Sequence, residues 1–276
     1  MKGSSFIIGA FFLYIFLALG VYFFAGANDA GFVLRNVFYL GAPAIAIAAG
    51  SYAVWSYGIP NSHATSLTFI VVGLGLWFIG EILFFSFSLR DIDPFPSIAD
   101  VFYIIGYVPL AIGFIRESRS DFNGVRIRDL FLFFALLLAL CVVTGAVSVF
   151  GAYDPSVDLV SNSILIGYGM GDLFLIATLL PILIFVSKHT GGTISIPWRL
   201  LFLGLIAILA ADLLYSVFNQ GYDARDVRFL RLDLVWIFGY LVLACGFIAM
   251  GRSLRRLARL AGRSRTRPSN AAAVRP

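Results

Sequence analysis

The chain of 276 residues is 60% hydrophobic and only 13% charged, with a net charge of +5. Soluble globular proteins carry about 25% charged residues, so this composition excludes a chain built mainly of soluble domains. The apolar residues fall into runs long enough to cross about 30 Å of hydrocarbon at about 1.5 Å per residue.

In chain order the runs lie at about 5–25, 33–56, 66–88, 99–116, 129–150, 159–187, 198–219 and 230–251. They predict an all-α, polytopic membrane bundle of eight helices arranged as four hairpins. The expected organisation is an eight-helix transmembrane domain over 1–251 and a basic, disordered tail over 252–276. The first run, Phe6 to Phe24, exceeds an ordinary signal-peptide core, and Ala25-Gly26-Ala27 is a weak cleavage signal. It is therefore read as a retained helix.

Charge distribution sets the expected orientation. With the N-terminus inside, fifteen of the twenty Lys and Arg residues fall on the cytoplasmic side and five on the outer side. The positive-inside rule then predicts a multi-pass cell-membrane protein with both termini cytoplasmic, which requires an even number of spans. Eight of the fifteen are arginines between Arg252 and Arg275. So short a basic tail beside a membrane suits an anionic lipid surface better than nucleic acid. Beyond Gly262 the Ser, Pro, Asn and Ala content predicts disorder.

An internal duplication is visible. Ile98 to Ile115 reads IADVFYIIGYVPLAIGFI and Arg231 to Ile248 reads RLDLVWIFGYLVLACGFI. Nine of eighteen positions match without a gap, among them Asp100/Asp233, Gly106/Gly239, Tyr107/Tyr240 and Gly113/Gly246. The preceding runs correspond loosely, with Glu81 near the counterpart of Asp212. Val37-Phe38-Tyr39 is similar to Val101-Phe102-Tyr103. Because each hairpin starts on the same side, these are parallel repeats about an axis normal to the membrane, unlike inverted-repeat carriers. Pro43, Pro109 and Pro181 fall within the even-numbered runs, where a kink is tolerated if neighbours satisfy the freed carbonyl.

The stretch Asp93-Pro94-Phe95-Pro96-Ser97-Ile98-Ala99-Asp100-Val101-Phe102-Tyr103-Ile104-Ile105-Gly106-Tyr107 resembles a hallmark of certain eight-helix membrane regions. In bacteria and archaea those regions precede GGDEF diguanylate cyclase or histidine kinase domains. Gly80-Glu81, Gly171-Asp172 and the later Asp212, Asp233 and Gly239-Tyr240 fit the same pattern. The resemblance spans about residues 5–251 and implies a membrane-embedded sensory module. No output domain follows the last run here, so signalling is expected to pass through a separate cytoplasmic protein.

Carboxylates within apolar runs ask for an explanation, since one at the bilayer centre costs about 2.5–3.5 kcal/mol on insertion scales. Glu81, Asp172 and Asp212 qualify. With the N-terminus inside, Glu81 and Asp212 lie in the outer halves of their runs, and Asp100 and Asp233 near the outer ends of theirs. Four acids from two related hairpins are thus expected at similar depth, with Asp172 mid-span. One reading makes all five a ligand site; the other makes them structural. In the structural reading, Glu81 and Asp212 take hydrogen bonds from Tyr, Ser or Trp or pair with Arg90, Arg228 or Arg231, while Asp100 and Asp233 cap helix N-termini.

Other chemistries are weakly signalled. Gly169-Met170-Gly171-Asp172 matches the GxGD string of intramembrane aspartyl proteases, which need a second membrane aspartate sharing a proton. The expected partner, Asp154 of Tyr153-Asp154, falls in a loop. His63 and His189 read as lone loop residues, and Cys141 and Cys245 as small buried hydrophobes, so no metal spacing is present. Lys2 and Lys188 read as lying outside the helices, which leaves no retinal Schiff base. No cofactor is expected. The 28 Phe and 12 Tyr read as lipid-facing and packing residues. Trp55, Trp77, Trp198 and Trp236 read as interface anchors, and Gly73, Gly75, Gly80, Gly106 and Gly113 as close-contact positions. The leading expectation is a non-enzymatic sensory or signalling module with its readout through Arg116–Asp129 or the tail. A proton- or cation-coupled small-solute transporter is the alternative, and the protease a distant third.

Overall fold

The computed structural model describes residues 2–58, 61–92, 95–119, 127–147, 153, 155, 158–188 and 195–265. All regular structure among them is helical. The helices are α1 (Lys2–Phe24), α2 (Asp29–Tyr57), α3 (Ser62–Ser88), α4 (Ile98–Arg119), α5 (Ile127–Gly145), α6 (Leu159–Lys188), α7 (Ser195–Asp223), the single turn α8 (Val227–Leu230), and α9 (Asp233–Arg265). Seven of them are long and apolar enough to cross a membrane. The exception among the eight expected spans is α5, whose apolar part is only Phe131–Gly145. Helical structure continues through residues 146–147, and the last three residues of the expected run, 148–150, lie outside the described residues.

Local sequence sets the helix ends. Asn28 accepts a hydrogen bond from the Gly31 amide at 2.9 Å, and Asn61 accepts one from His63 at 2.8 Å. Gly58 closes α2 at φ 75°, a conformation other residues avoid. Asp226 caps α8, and the Arg228 guanidinium that grips it holds its carboxyl down to about 2. Pro43, Pro109 and Pro181 sit within α2, α4 and α6, as expected.

The core forms around α9. That helix packs on α2 and α7, α2 packs on α3, α3 on α4, α4 on α6 and α6 on α7. Two helices are peripheral: α5 rests mainly on α6, and α1 lies lightly against α2 and α9. The outer surface is apolar, with Phe6, Phe16, Phe24, Phe131 and Leu159 each more than 70% exposed. An outer surface of large apolar side chains over a buried core is what a lipid solvent requires. This is a multi-pass helical membrane protein.

Several expectations need correction. Trp77, Trp198 and Trp236 are buried, and only Trp55 is exposed, so three of the four are core residues. The tyrosines are mostly interior, because their hydroxyls have carboxylate partners there. Cys141 faces outward, since α5 has partners on one side only. His63 is in the first turn of α3, paired with Glu117 of α4 at 2.8 Å and stacked on Tyr57; His189 lies outside the described residues. Lys2 and Lys188 are helix-terminal residues of α1 and α6. The tail is helical as far as Arg265, since the Arg- and Leu-rich continuation of α9 favours helix.

The duplication is realised as two helix pairs with matching contacts, α3 with α4 and α7 with α9. A Cβ on Gly73 would stand 2.8 Å from the Gly106 carbonyl, and one on Gly204 would stand 2.8 Å from that of Gly239. Gly113 meets Ile70 and the Ser66 carbonyl as Gly246 meets Leu201 and the Pro197 carbonyl. Thus Ser66, Ile70 and Gly73 correspond to Pro197, Leu201 and Gly204. At the same spacing Glu81 corresponds to Asp212, which sharpens the loose match seen in the sequence. Gly75 meets nothing within 4 Å and has no such contact role.

Candidate ligand cavity

Close contact at Gly73 with Gly106 and at Gly204 with Gly239 holds each repeated hairpin together. Aromatic residues line the space among the helices at the acids without filling it. They leave a cavity of about 490 Å³ lined by side chains of α2, α3, α4, α6, α7 and α9. Glu81, Asp100, Asp212 and Asp233 all line it, one from each helix of the two repeated hairpins. Asp172 does not; it is 3% exposed and stands behind the wall.

Each acid is met by aromatic donors. Glu81 accepts from the Tyr39 hydroxyl at 2.8 Å and also from Tyr103. Asp212 accepts from the Trp236 indole at 2.8 Å. Asp233 accepts from Tyr22 and Tyr222, each at 2.6 Å. Asp100 accepts from Tyr168. Asp172 accepts from Tyr107 at 2.8 Å. A hydrogen bond to a charged group contributes about 1.5–3 kcal/mol, on the scale of the insertion cost of each acid. Salt bridges do not do this work: Arg228 grips Asp226, Arg231 lies over the Phe23 ring, and neither reaches Glu81 or Asp212.

Capping explains only Asp100. Its carboxylate accepts from the Ser97 amide at 2.5 Å while Ser97 Oγ accepts from Ala99, a reciprocal capping box. Asp233 begins α9, but its two oxygens are taken by tyrosine hydroxyls. Glu81 and Asp212 keep some accessible surface despite their interior position, because that surface faces the cavity.

Two cations belong to the wall. Arg35 is 2% exposed and gives its Nη atoms to the Gly26 carbonyl, the nearer contact being 2.8 Å. Arg225 stands at the rim, bonded to the Ser88 carbonyl and to Asp91 at 3.0 Å, with its guanidinium over Phe32. Arg35, Tyr22, Tyr168 and Tyr222 were not singled out in the sequence, and Trp236 was read there as an interface anchor. The signal available was the repeat, which aligns Tyr39, Tyr103 and Trp236 on their helices.

The carboxyls of Asp172 and Asp212 are in hydrogen-bonding contact. Carboxylates only accept, so the contact is a hydrogen bond only with one proton held between the two. Without that proton Asp172 Oδ2 is a buried acceptor with no donor. The aspartate beside Asp172 is Asp212 of the following helix; Asp154 lies outside the described residues. No group of three His, Cys, Asp or Glu side chains among the described residues is placed to hold a metal ion.

No family model matches the chain, and no curated protein or solved structure matches it.

Proposed function

We propose that this protein is a sensory module of the cell membrane, with both termini cytoplasmic and the cavity opening outward. The observation that carries the reading is the one-sidedness of the cavity. Its lining stops at Trp77, Tyr107, Ile208 and Tyr240. Beyond them the core continues through Leu67, Leu110, Leu201 and Phe247, each at most 1% exposed. A site closed on one side suits a receptor better than a passage. The excess of Lys and Arg on the side away from the cavity supports the orientation. α9 runs unbroken from Asp233 at the cavity to the basic segment at the other end, which suits it to present occupancy to a separate cytoplasmic signalling protein.

A small-solute carrier coupled to protons is favoured by one observation, the Asp172–Asp212 carboxyl pair within the spans. It needs the site to open to both sides in turn. Peptide hydrolysis is less supported, because Asp172 is buried away from the cavity and a scissile bond has no approach to it. Single cysteines at Ser88 and Ser216, placed in a Cys141→Ser, Cys245→Ser background in oriented proteoliposomes, distinguish the readings. A receptor is labelled by an impermeant maleimide from the cavity side only. Labelling of Ser216→Cys from both sides would remove the sensory reading in favour of the carrier.

A further inference from the structure

We infer that the cavity binds a small organic ammonium ion; the inference rests on the cavity being the ligand site. Charge is the first reason. Five carboxyls, those of Glu81, Asp91, Asp100, Asp212 and Asp233, line the cavity against Arg35 and Arg225, of which Arg35 bonds the Gly26 carbonyl and Arg225 bonds Ser88 and Asp91. The lining thus has a formal excess of negative charge.

Donor accounting is the second. Tyr39, Tyr107, Tyr168, Tyr222 and Trp236 each give their proton to a carboxyl, and Trp77 gives its own to the Tyr103 carbonyl. An anion would find these donors committed. What the walls offer instead is carboxylate oxygen and ring face, and both attract cations. Trp236 sits in edge or tilted contact with Tyr39, Tyr215 and Tyr222, with centroids 6.1 Å away in each case. Trp77 with Tyr107 and Tyr103 with Tyr168 build the facing walls. Rings set edge to face around a hollow form a cage for an ammonium group.

Size and spacing separate an organic cation from a metal ion. Glu81, Asp100, Asp212 and Asp233 come from four helices and no three of the acids converge on one point, whereas a hard cation gathers six or more oxygens around itself. A volume of about 490 Å³ falls in the usual range of small-molecule sites, roughly 300–1,000 Å³.

Choline and its uncharged isostere 3,3-dimethylbutan-1-ol test the inference on the full chain in detergent or nanodiscs. Calorimetry and the emission of Trp77 and Trp236 supply the readouts, with putrescine to separate primary from quaternary ammonium. Saturable binding of an ammonium compound is expected, with the isostere weaker by about tenfold or more, a difference of about 1.4 kcal/mol. Glu81→Gln, which is near-isosteric, and Trp236→Phe, which keeps an aromatic ring, should each weaken it while leaving the elution profile unchanged. Equal binding of isostere and choline would overturn the cation assignment and leave the cavity as a ligand site. So would undiminished binding by Glu81→Gln. Failure of every ammonium compound to bind also overturns the inference, and the one-sided labelling at Ser88 and Ser216 then decides the sensory reading separately.

Discussion

Trp236 on α9 donates its indole N–H to Asp212 on α7 at 2.8 Å, from the position that Tyr103 holds on α4 against Glu81 on α3. The two hairpins thus make one contact with different chemistry: glutamate meets tyrosine in the first, and aspartate meets tryptophan in the second. Asp212 has the shorter side chain, and a bulkier indole stands opposite it. The repeat conserves the contact more faithfully than it conserves the residues.

That reciprocity is open to a double-mutant cycle. Trp236→Phe removes the donor and leaves a buried carboxyl unsatisfied, at a cost of about 1–3 kcal/mol. Trp236→Tyr should also be destabilising, because the phenol is set for a glutamate at that spacing. Combining Trp236→Tyr with Asp212→Glu rebuilds the contact of the first hairpin and should recover part of the loss. Thermal unfolding in detergent measures all four proteins. Additive losses in the double variant would show that the two contacts are not equivalent.

Glycine contacts set the close approach below the cavity. A Cβ on Gly73 or Gly204 would fall 2.8 Å from a backbone carbonyl of the partner helix, and backbone cannot swing aside. Gly73→Ala and Gly204→Ala are therefore expected to separate their helix pairs and destabilise the protein by about 1–3 kcal/mol each. Gly75→Ala, with nothing within 4 Å, should be neutral or stabilising by up to about 1 kcal/mol through helix propensity. The same melting assay compares the three.

The sequence carried the membrane class, the repeated hairpin and the four acids that line one cavity, because each depends on pattern along the chain. The Asp100/Asp233 match and the Gly106 and Gly239 positions translate directly into the paired helices. What it did not carry depends on helix rotation and on neighbours distant in the chain. Tyr22 reaches Asp233 across 211 residues, and Tyr107 reaches Asp172 from another hairpin; no spacing rule announces either. Three tryptophans read as interface anchors are core residues for the same reason, since amphipathic rings suit a membrane boundary and a lined cavity equally. The Gly-Asp at 171–172 pointed to an aspartate ahead of it in the chain, whereas the bundle sets Asp212 of the following helix beside it.

α1 lies lightly against the bundle, and two of its side chains, Tyr14 and Tyr22, make polar contacts with it. Tyr14 donates to the Phe38 carbonyl at 2.5 Å, and Tyr22, fully buried, donates to Asp233 at 2.6 Å. Tyr22→Phe removes one of two donors to a carboxylate at the cavity wall, for an expected loss of about 1–3 kcal/mol. Because few apolar contacts compensate, the loss should be felt locally. Hydrogen exchange of α1 amides should rise while α9 keeps its protection. Uniform loss of protection across the bundle would show instead that α1 is an integral part of the fold.

At the end of the bundle away from the cavity, Arg255 of α9 lies over two rings of α2, 4.0 Å from the Trp55 centroid and 4.8 Å from that of Tyr52. The basic continuation of α9 is thereby clamped against the helix that also supplies Arg35 and Tyr39 to the cavity. A cation over an aromatic face contributes about 0.5–2 kcal/mol, more as water is excluded. Arg255→Ala should release this segment of α9 and change the emission of Trp55, which is otherwise 69% exposed. Arg255→Lys, which keeps the charge but lacks the planar guanidinium, should retain only part of the effect. Spin labels on Ser253 and Ser56 would report the separation of the two helices. An unchanged distance in Arg255→Ala would mean that hydrophobic packing of α9 on α2 holds the segment without the cation.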